Sequence, residues 1–253
     1  MMERPVMSKR IALVTGGIGG LGADICRTLR NSGHTVIAAD LDGHAERRAN
    51  FHADPSNHDI AFEAVDVSDF DSCASLFARI EQRYGSGLAV LVNAAGITRD
   101  ASLRKMTPAQ WHDLMRVNLD GVFHMCRQAV EGMTSRGYGR IVNISSVNGQ
   151  TGQFGQTNYS AAKAAVHGFT MAMARETARK GVTVNTVSPG YCDTPLVAAM
   201  PAPVRERIVE TIPVGRLGSP ADISRAVAFL AAEEAGYITG VNLPVNGGYF
   251  ISF

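Results

Sequence analysis

"VTGGIGGLG", residues 14–22, closes an apolar run and opens a helical one. The run before it, "RIALVTG" (10–16), is short and apolar, and the stretch after it, Leu21 to Asn31, is amphipathic and stops at Gly33. The spacing of Gly16, Gly20 and Gly22 allows a tight turn. It also lets backbone N–H groups and a helix N-terminus approach a pyrophosphate. A glycine cluster alone is weak evidence. Between the first strand and first helix of an α/β chain it predicts a dinucleotide site, with Gly16, Gly20, Leu21 and Gly22 in contact with the cofactor.

The chain outside that turn supplies the α/β context. Strand-like runs recur at "HTVIAAD" (34–40), "IAFEAVDVSD" (60–69), "LAVLVNAAG" (88–96), "GRIVNISS" (139–146), "GVTVNTVSPG" (181–190) and "GVNLPVNGG" (240–248). Continuous apolar strands separated by helices predict a parallel sheet covered on both faces. In "MTPAQW" Thr107 is a cap, Pro108 suits the first helical position and Gln110 completes a capping box. Ser219 and Pro220 open another helix, which runs toward Gly236. The expected fold is α/β: one doubly wound, Rossmann-type domain over 10–253, with a parallel sheet of about seven strands and helices on both faces. Residues 1–9 form an N-terminal extension. Residues 191–211 break the alternation, carry Pro195, Pro201 and Pro203, and predict a substrate loop.

Bulk properties narrow the function. The 253 residues hold 24 basic against 23 acidic side chains, so charge gives no argument for nucleic acid or a membrane surface. Cys26, Cys73, Cys126 and Cys192 are scattered, without a C-x-x-C pair or zinc-ligand spacing. They predict reduced thiols, no metal site and a cytoplasmic protein. "MMERPVMSKR" has no apolar core of a signal peptide, and no apolar run is long enough to span a membrane.

Asp40 ends the second strand, eighteen residues after Gly22. A carboxylate there can accept hydrogen bonds from an adenosine ribose and would repel a 2′-phosphate. NAD(H) is therefore expected over NADP(H), although Arg47 and Arg48 lie close enough to favour the phosphate. Asp66 ends the third strand beside Val67, at the expected place of the adenine, and leaves the next helix to be capped by Asp69. In "NYSAAKAAVHG" (158–168) Tyr159 and Lys163 stand one helical turn apart, as neighbours on one face. Taken alone, the pair reads more readily as a solvated tyrosine and lysine than as a catalytic one.

These motifs together resemble the short-chain dehydrogenase/reductase family over essentially the whole chain. The likeness rests on Thr15 to Gly22, "NAAG" (93–96), Asn118 in "VNLDG", Ser145 and Ser146, Tyr159, Lys163, and "PGYCDT" (189–194). The resemblance implies that Tyr159 is the proton donor and that Lys163 binds the nicotinamide ribose. It implies that Ser146 polarises the carbonyl and that Asn118 holds a water. A free phenol is a poor acid near neutrality, and a neighbouring ammonium is expected to favour its ionised form. Asn93, Gly96, Pro189, Gly190 and Thr194 match cofactor positions of the family, with Ala94 replacing its second asparagine. Cys192 matches no catalytic role.

Within the family, "GITRD" (96–100), residues 140–170 and "VNTVSPGY" (184–191) resemble 3-ketoacyl thioester reductases, acetoacetyl-CoA reductases especially. This implies reduction of acetoacetyl-CoA to 3-hydroxybutyryl-CoA. The alternatives are 3-oxoacyl-acyl carrier protein reduction, or dehydrogenation of another secondary alcohol. Gln153, Phe154, Gln156 and Tyr191 match the segment around the acyl chain. Arg99, Arg104 and Lys105 follow the fourth strand and read either as a solvated basic loop or as contacts for CoA phosphates or an acidic carrier protein. The likeness further implies a homotetramer. "FISF" (250–253) is apolar for a chain end, which predicts its burial at a subunit contact or over the site.

Overall fold

The computed structural model describes residues 10–85, 87–198 and 200–251. Seven parallel strands are joined by helices in alternation. The first half runs β1 (Ile11–Thr15), α1 (Gly20–Asn31), β2 (Thr35–Asp40), α2 (Ala45–Ala53), β3 (Ala61–Ala64), α3 (Phe70–Tyr84) and β4 (Leu88–Asn93). The second half runs α4 (Pro108–Met115), α5 (Gly121–Ser135), β5 (Gly139–Ile144), α6 (Asn148–Thr151), α7 (Thr157–Thr177), β6 (Val182–Pro189), α8 (Pro195–Ala198), α9 (Ala202–Glu210), α10 (Pro220–Ala231) and β7 (Asn242–Val245).

Strand side chains alternate between two cores. Ile11 and Leu13 of β1 join α3, α5 and α7, whereas Ala12 and Val14 join α1, α2 and α10. Both faces are buried, which is why these strands read as unbroken apolar runs. The strand order is β3-β2-β1-β4-β5-β6-β7. After β3 the chain crosses to the far side of β1. The loops leaving β1 and β4 therefore diverge at the carboxyl edge and open a crevice there.

Local chemistry sets the helix starts. Thr107 and Gln110 form the expected capping box at α4, and Ser219 and Asp222 form one at α10. α4 does not stop at Met115. A π turn, Arg116–Asp120, joins it to α5, and the Gly121 N–H donates back to the Arg116 carbonyl. Gly121 sits against Val67, where a Cβ would come within 2.8 Å of Val67 Cγ2.

The structure corrects several boundaries. β3 ends at Ala64, so Asp66 and Val67 lie in the turn beyond it. α10 ends at Ala231 because Ala232 is extended, and a 3-10 turn covers Glu233–Tyr237. The segment 191–211 is not structureless, since it holds α8 and α9. Ile251 is 77% exposed, so this part of "FISF" is not covered by its own chain. The extension 1–9 and residues 252 and 253 lie outside the described residues. Among those described, no helix is long and apolar enough to cross a membrane, no cluster could hold a metal, and all four cysteines are free and buried.

Candidate active site

The carboxyl edge gathers the turns after β1, β4, β5 and β6. After β1, Gly16 has φ +65°, and a Cβ there would press on the Ala94 carbonyl and Ala95 backbone at 3.0 Å. A Cβ at Gly22 would overlap the Gly16 carbonyl oxygen, so α1 can start this close to the strand only with glycine at that position. Gly20 and Leu21 form the first turn of α1. Gly19 caps α1 without a side-chain bond, and no acidic residue occupies the first turn. The N–H groups there are free to meet an anion. Thr15 holds the turn after β4 against this cradle: its hydroxyl accepts from Ala94 N at 3.1 Å and Ala95 N at 3.2 Å. Gly17 packs on β2, where a Cβ would lie 2.7 Å from Ala38 Cα. Gly17 was not singled out from the sequence, and Thr15 was named there only as the start of the family motif, with no role of its own.

The other cofactor positions divide. Asp40 is buried at the end of β2. Its Oδ1 accepts from Leu41 N at 2.8 Å and lies 3.2 Å from His44 Nδ1. Arg48 is paired with Asp42 at 2.6 Å, and Arg47 lies 3.5 Å from His44 Nδ1. Asp69 caps α3, and Asp66 bonds Ser68 N at 2.9 Å and Ser68 Oγ at 2.7 Å. Gly190 N–H donates to Val245 at 2.9 Å, and Pro189 accepts from Val147 N–H at 2.8 Å, so both belong to the floor of the edge. Thr194 is half-buried just before α8.

Asn93 corrects an expectation. Its side chain turns into the core and donates to Asn143 Oδ1 at 2.8 Å, and Asn143 donates on to Thr170 at 2.9 Å. This chain ties β4, β5 and α7 below the edge. Buried amides seek such partners, so the residue serves the scaffold.

Tyr159 and Lys163 face one another from α7, with Lys163 Nζ 5.7 Å from the Tyr159 ring centroid. Lys163 is 4% exposed and donates to the Ile144 carbonyl at 2.8 Å. Burial pulls its ammonium down to about 8. Gly96 leaves room beside it, since a Cβ there would stand 3.7 Å from Lys163 Nζ and 3.6 Å from Asn118 Oδ1. Asn118 sits in the π turn and is fully buried. Both ends of its amide bond the Ile97 backbone, at 2.9 and 3.0 Å. Its side chain therefore clamps the loop after β4. π turns recur at functional sites because they re-aim a helix locally.

The two serines part company. Ser145 Oγ donates to the Lys163 carbonyl at 2.8 Å and is buried. Ser146 faces the Tyr159 phenol and counteracts the larger upward effect of burial on it. The expectation that Lys163 draws the phenol down is not met. Burial raises Tyr159 most, the Ser146 hydrogen bond opposes it in part, and Asp100 adds to the rise. The phenol therefore keeps its proton near neutrality, which suits an acid.

The substrate-side residues are only partly brought together. Tyr191 packs edge-on to Tyr249 at 5.7 Å. Phe154 is 91% exposed, and Gln153 is exposed beside it. Gln156 is engaged at both ends of its amide: it donates to Asp100 at 2.9 Å and accepts from Asn148 at 2.8 Å. Cys192 lies under this edge, and burial pushes its thiol up to about 11, which makes it a poor nucleophile.

Comparison with known proteins extends this geometry. A family model described as enoyl-(acyl carrier protein) reductase matches residues 16–250. An acetoacetyl-CoA reductase of Allochromatium vinosum is 52% identical over 249 residues, covering 96% of this chain and 99% of that protein. One of Cupriavidus necator is 49% identical over 244 residues, covering 96% and 98%. A 3-oxoacyl-acyl-carrier-protein reductase of Haemophilus influenzae is 41% identical over 247 residues, covering 97% and 100%.

Proposed function

This chain belongs to the short-chain dehydrogenase/reductase family, and we propose that it reduces the 3-keto group of acetoacetyl-CoA to give 3-hydroxybutyryl-CoA. It is an oxidoreductase that acts on a CH–OH group with a nicotinamide cofactor. The observation that carries the substrate is the identity of about half the residues, over nearly the whole chain, with proteins named acetoacetyl-CoA reductase. The glycine cradle fits a dinucleotide: the positions at Gly16 and Gly22 have no room for a Cβ, and the first turn of α1 offers unpaired N–H groups.

The nicotinamide, when bound, supplies the hydride that reaches C3 of the ketone. Every other part falls to the chain. Gly16, Gly20, Leu21 and Gly22 hold the pyrophosphate, and Asp40 receives the adenosine ribose. Asp66 and Val67 border the adenine, and Gly96, Pro189, Gly190 and Thr194 line the path toward the nicotinamide. Lys163 holds the second ribose and keeps a positive charge beside the phenol. Ser146 donates to the ketone oxygen, and Tyr159 gives it a proton as it becomes an alkoxide. An acid placed within reach contributes about 10²–10⁴-fold. Asn118 keeps the loop after β4 beside Lys163.

Asp40 Oδ2 has no hydrogen bond among the described residues, and with Arg48 committed to Asp42 the site favours NAD(H). The protein works in the cytoplasm as a homotetramer, with no nucleic-acid or membrane partner. Phe123 on α5, 47% exposed, lines a largely apolar hollow of about 260 Å³ with Val130 of α5 and Phe169 and Met173 of α7, and Met171 on α7 is 54% exposed, which supports assembly through those helices. The test of substrate class compares acetoacetyl-CoA with the same acyl group on acyl carrier protein. A kcat/KM at least tenfold higher for the CoA thioester is expected; the reverse order identifies a carrier-protein reductase.

A further inference from the structure

The first turn of α7 carries Tyr159, and the way that turn is fixed is unusual. A helix start leaves backbone N–H groups without intrahelical partners. Gln156, at the cap position, gives α7 no side-chain cap, because its amide is spent on Asp100 and Asn148. The Tyr159 N–H instead donates to Oδ1 of its own neighbour, Asn158, at 2.8 Å. Asn158 is fully buried. Its Nδ2 donates to the Arg99 carbonyl at 3.1 Å and to the Gln110 carbonyl of α4 at 3.3 Å.

The next two residues of the same loop are bound as well. Asp100 receives Gln156, and Ala101 N–H donates to the Gly155 carbonyl at 2.9 Å. Residues 99, 100 and 101 are thus zipped in succession to the segment that enters α7. Asn158 is the only buried member among those side chains, and it alone also grips the backbone of Tyr159.

We infer that Asn158 is a positioning residue: by bonding the Tyr159 N–H and the loop after β4 together, it holds the phenol in register with Ser146 and makes that register depend on the loop beside the substrate. The inference rests on the reading of Tyr159 as the proton donor. Small misplacements of an acid cost large factors in rate, so the register matters more than the bonds themselves.

Two variants separate the two halves of this role. Asn158→Asp keeps an acceptor for the Tyr159 N–H, loses both donors, and sets its second oxygen against the Arg99 and Gln110 carbonyls, which drives the loop away. Asn158→Ala loses all three bonds. Asn158→Ala is expected to lower kcat about 10–100-fold, with the dissociation constant of the reduced cofactor, read by its fluorescence, within about twofold of wild type. Asn158→Asp should keep kcat within about threefold and raise KM for the thioester, because the loop is released. The inference is overturned by full kcat in Asn158→Ala, or by equal loss of kcat in both variants. If the alanine variant does not fold, the aspartate variant decides: near-normal kcat with raised KM supports the inference, and any other split sinks it. Tyr159→Phe runs alongside. Turnover that survives there refutes the proton-donor reading itself, whereas a dead Tyr159→Phe with a fully active Asn158→Ala refutes only the positioning.

Discussion

A buried ammonium whose one hydrogen bond among the described residues goes to a carbonyl gives this site its pH dependence. Lys163 is drawn down to about 8 by burial, so it is charged below that pH and neutral above it. Tyr159 moves the other way, upward, so its proton stays on through the same range. Ketone reduction needs the charged lysine and the protonated phenol together. The expected kcat/KM profile is therefore flat to about pH 8 and falls with the loss of one proton above it; a profile still flat at pH 10 contradicts this assignment. Asp40 is the second residue with a sharp consequence. Replacing its charge with Asp40→Ser should improve kcat/KM for NADPH relative to NADH by roughly tenfold, since a nearby like charge is removed. Unchanged selectivity would show that Asp40 does not face the 2′ position. Tyr159, Lys163 and Ser146 were picked out through the family resemblance, and the structure sets them together where one helix meets one strand end. Asn93 was not legible, because sequence gives a residue's strand but not what its amide meets inside.

Elements carry the site only where their ends are built correctly. α1 begins where Gly22 meets the Gly16 carbonyl, so Gly22→Ala must push the helix off the strand. The expected outcome is at least a tenfold weaker grip on the dinucleotide, measured by fluorescence titration, in a protein that is still folded. Unaltered binding would mean that the cradle is elsewhere. The capping box of α4 gives a stability prediction free of chemistry. Thr107→Ala should cost about 1 kcal/mol in denaturant unfolding, and activity per folded molecule should be kept. Both caps were readable as short local patterns, as was the glycine turn. The π turn at Arg116–Asp120 was not, because nothing in "RVNLD" breaks a helix. It arises where Asn118 turns to bond Ile97 and Gly121 packs against Val67, contacts made across the fold. β3 was overestimated for a similar reason. Its apolar run continues past the last ladder pair, and Val67 is buried by packing against α5, not by sheet pairing.

The whole molecule is a covered parallel sheet with its chemistry on one edge, and the alternation of apolar runs and helix signals was enough to predict that. What no single chain's pattern predicts is which surface meets another copy. Phe123, Met171, and Phe229 at 55% exposure, are large apolar side chains left at the surface of long helices. A tetramer would cover such faces, and light scattering should give about four times the 26.9 kDa chain mass; a monomer at micromolar concentration would contradict it. The same assembly is where an exposed Ile251 would find cover. The central claim is catalytic, and initial rates with acetoacetyl-CoA, run in parallel with NADH and NADPH and followed by absorbance of the reduced cofactor, test it most directly. Rapid oxidation of NADH, with NADPH slower, is the predicted result. Turnover with NADPH alone would contradict the role given to Asp40, and no turnover with either cofactor would contradict the reading of the protein as an acetoacetyl-CoA reductase.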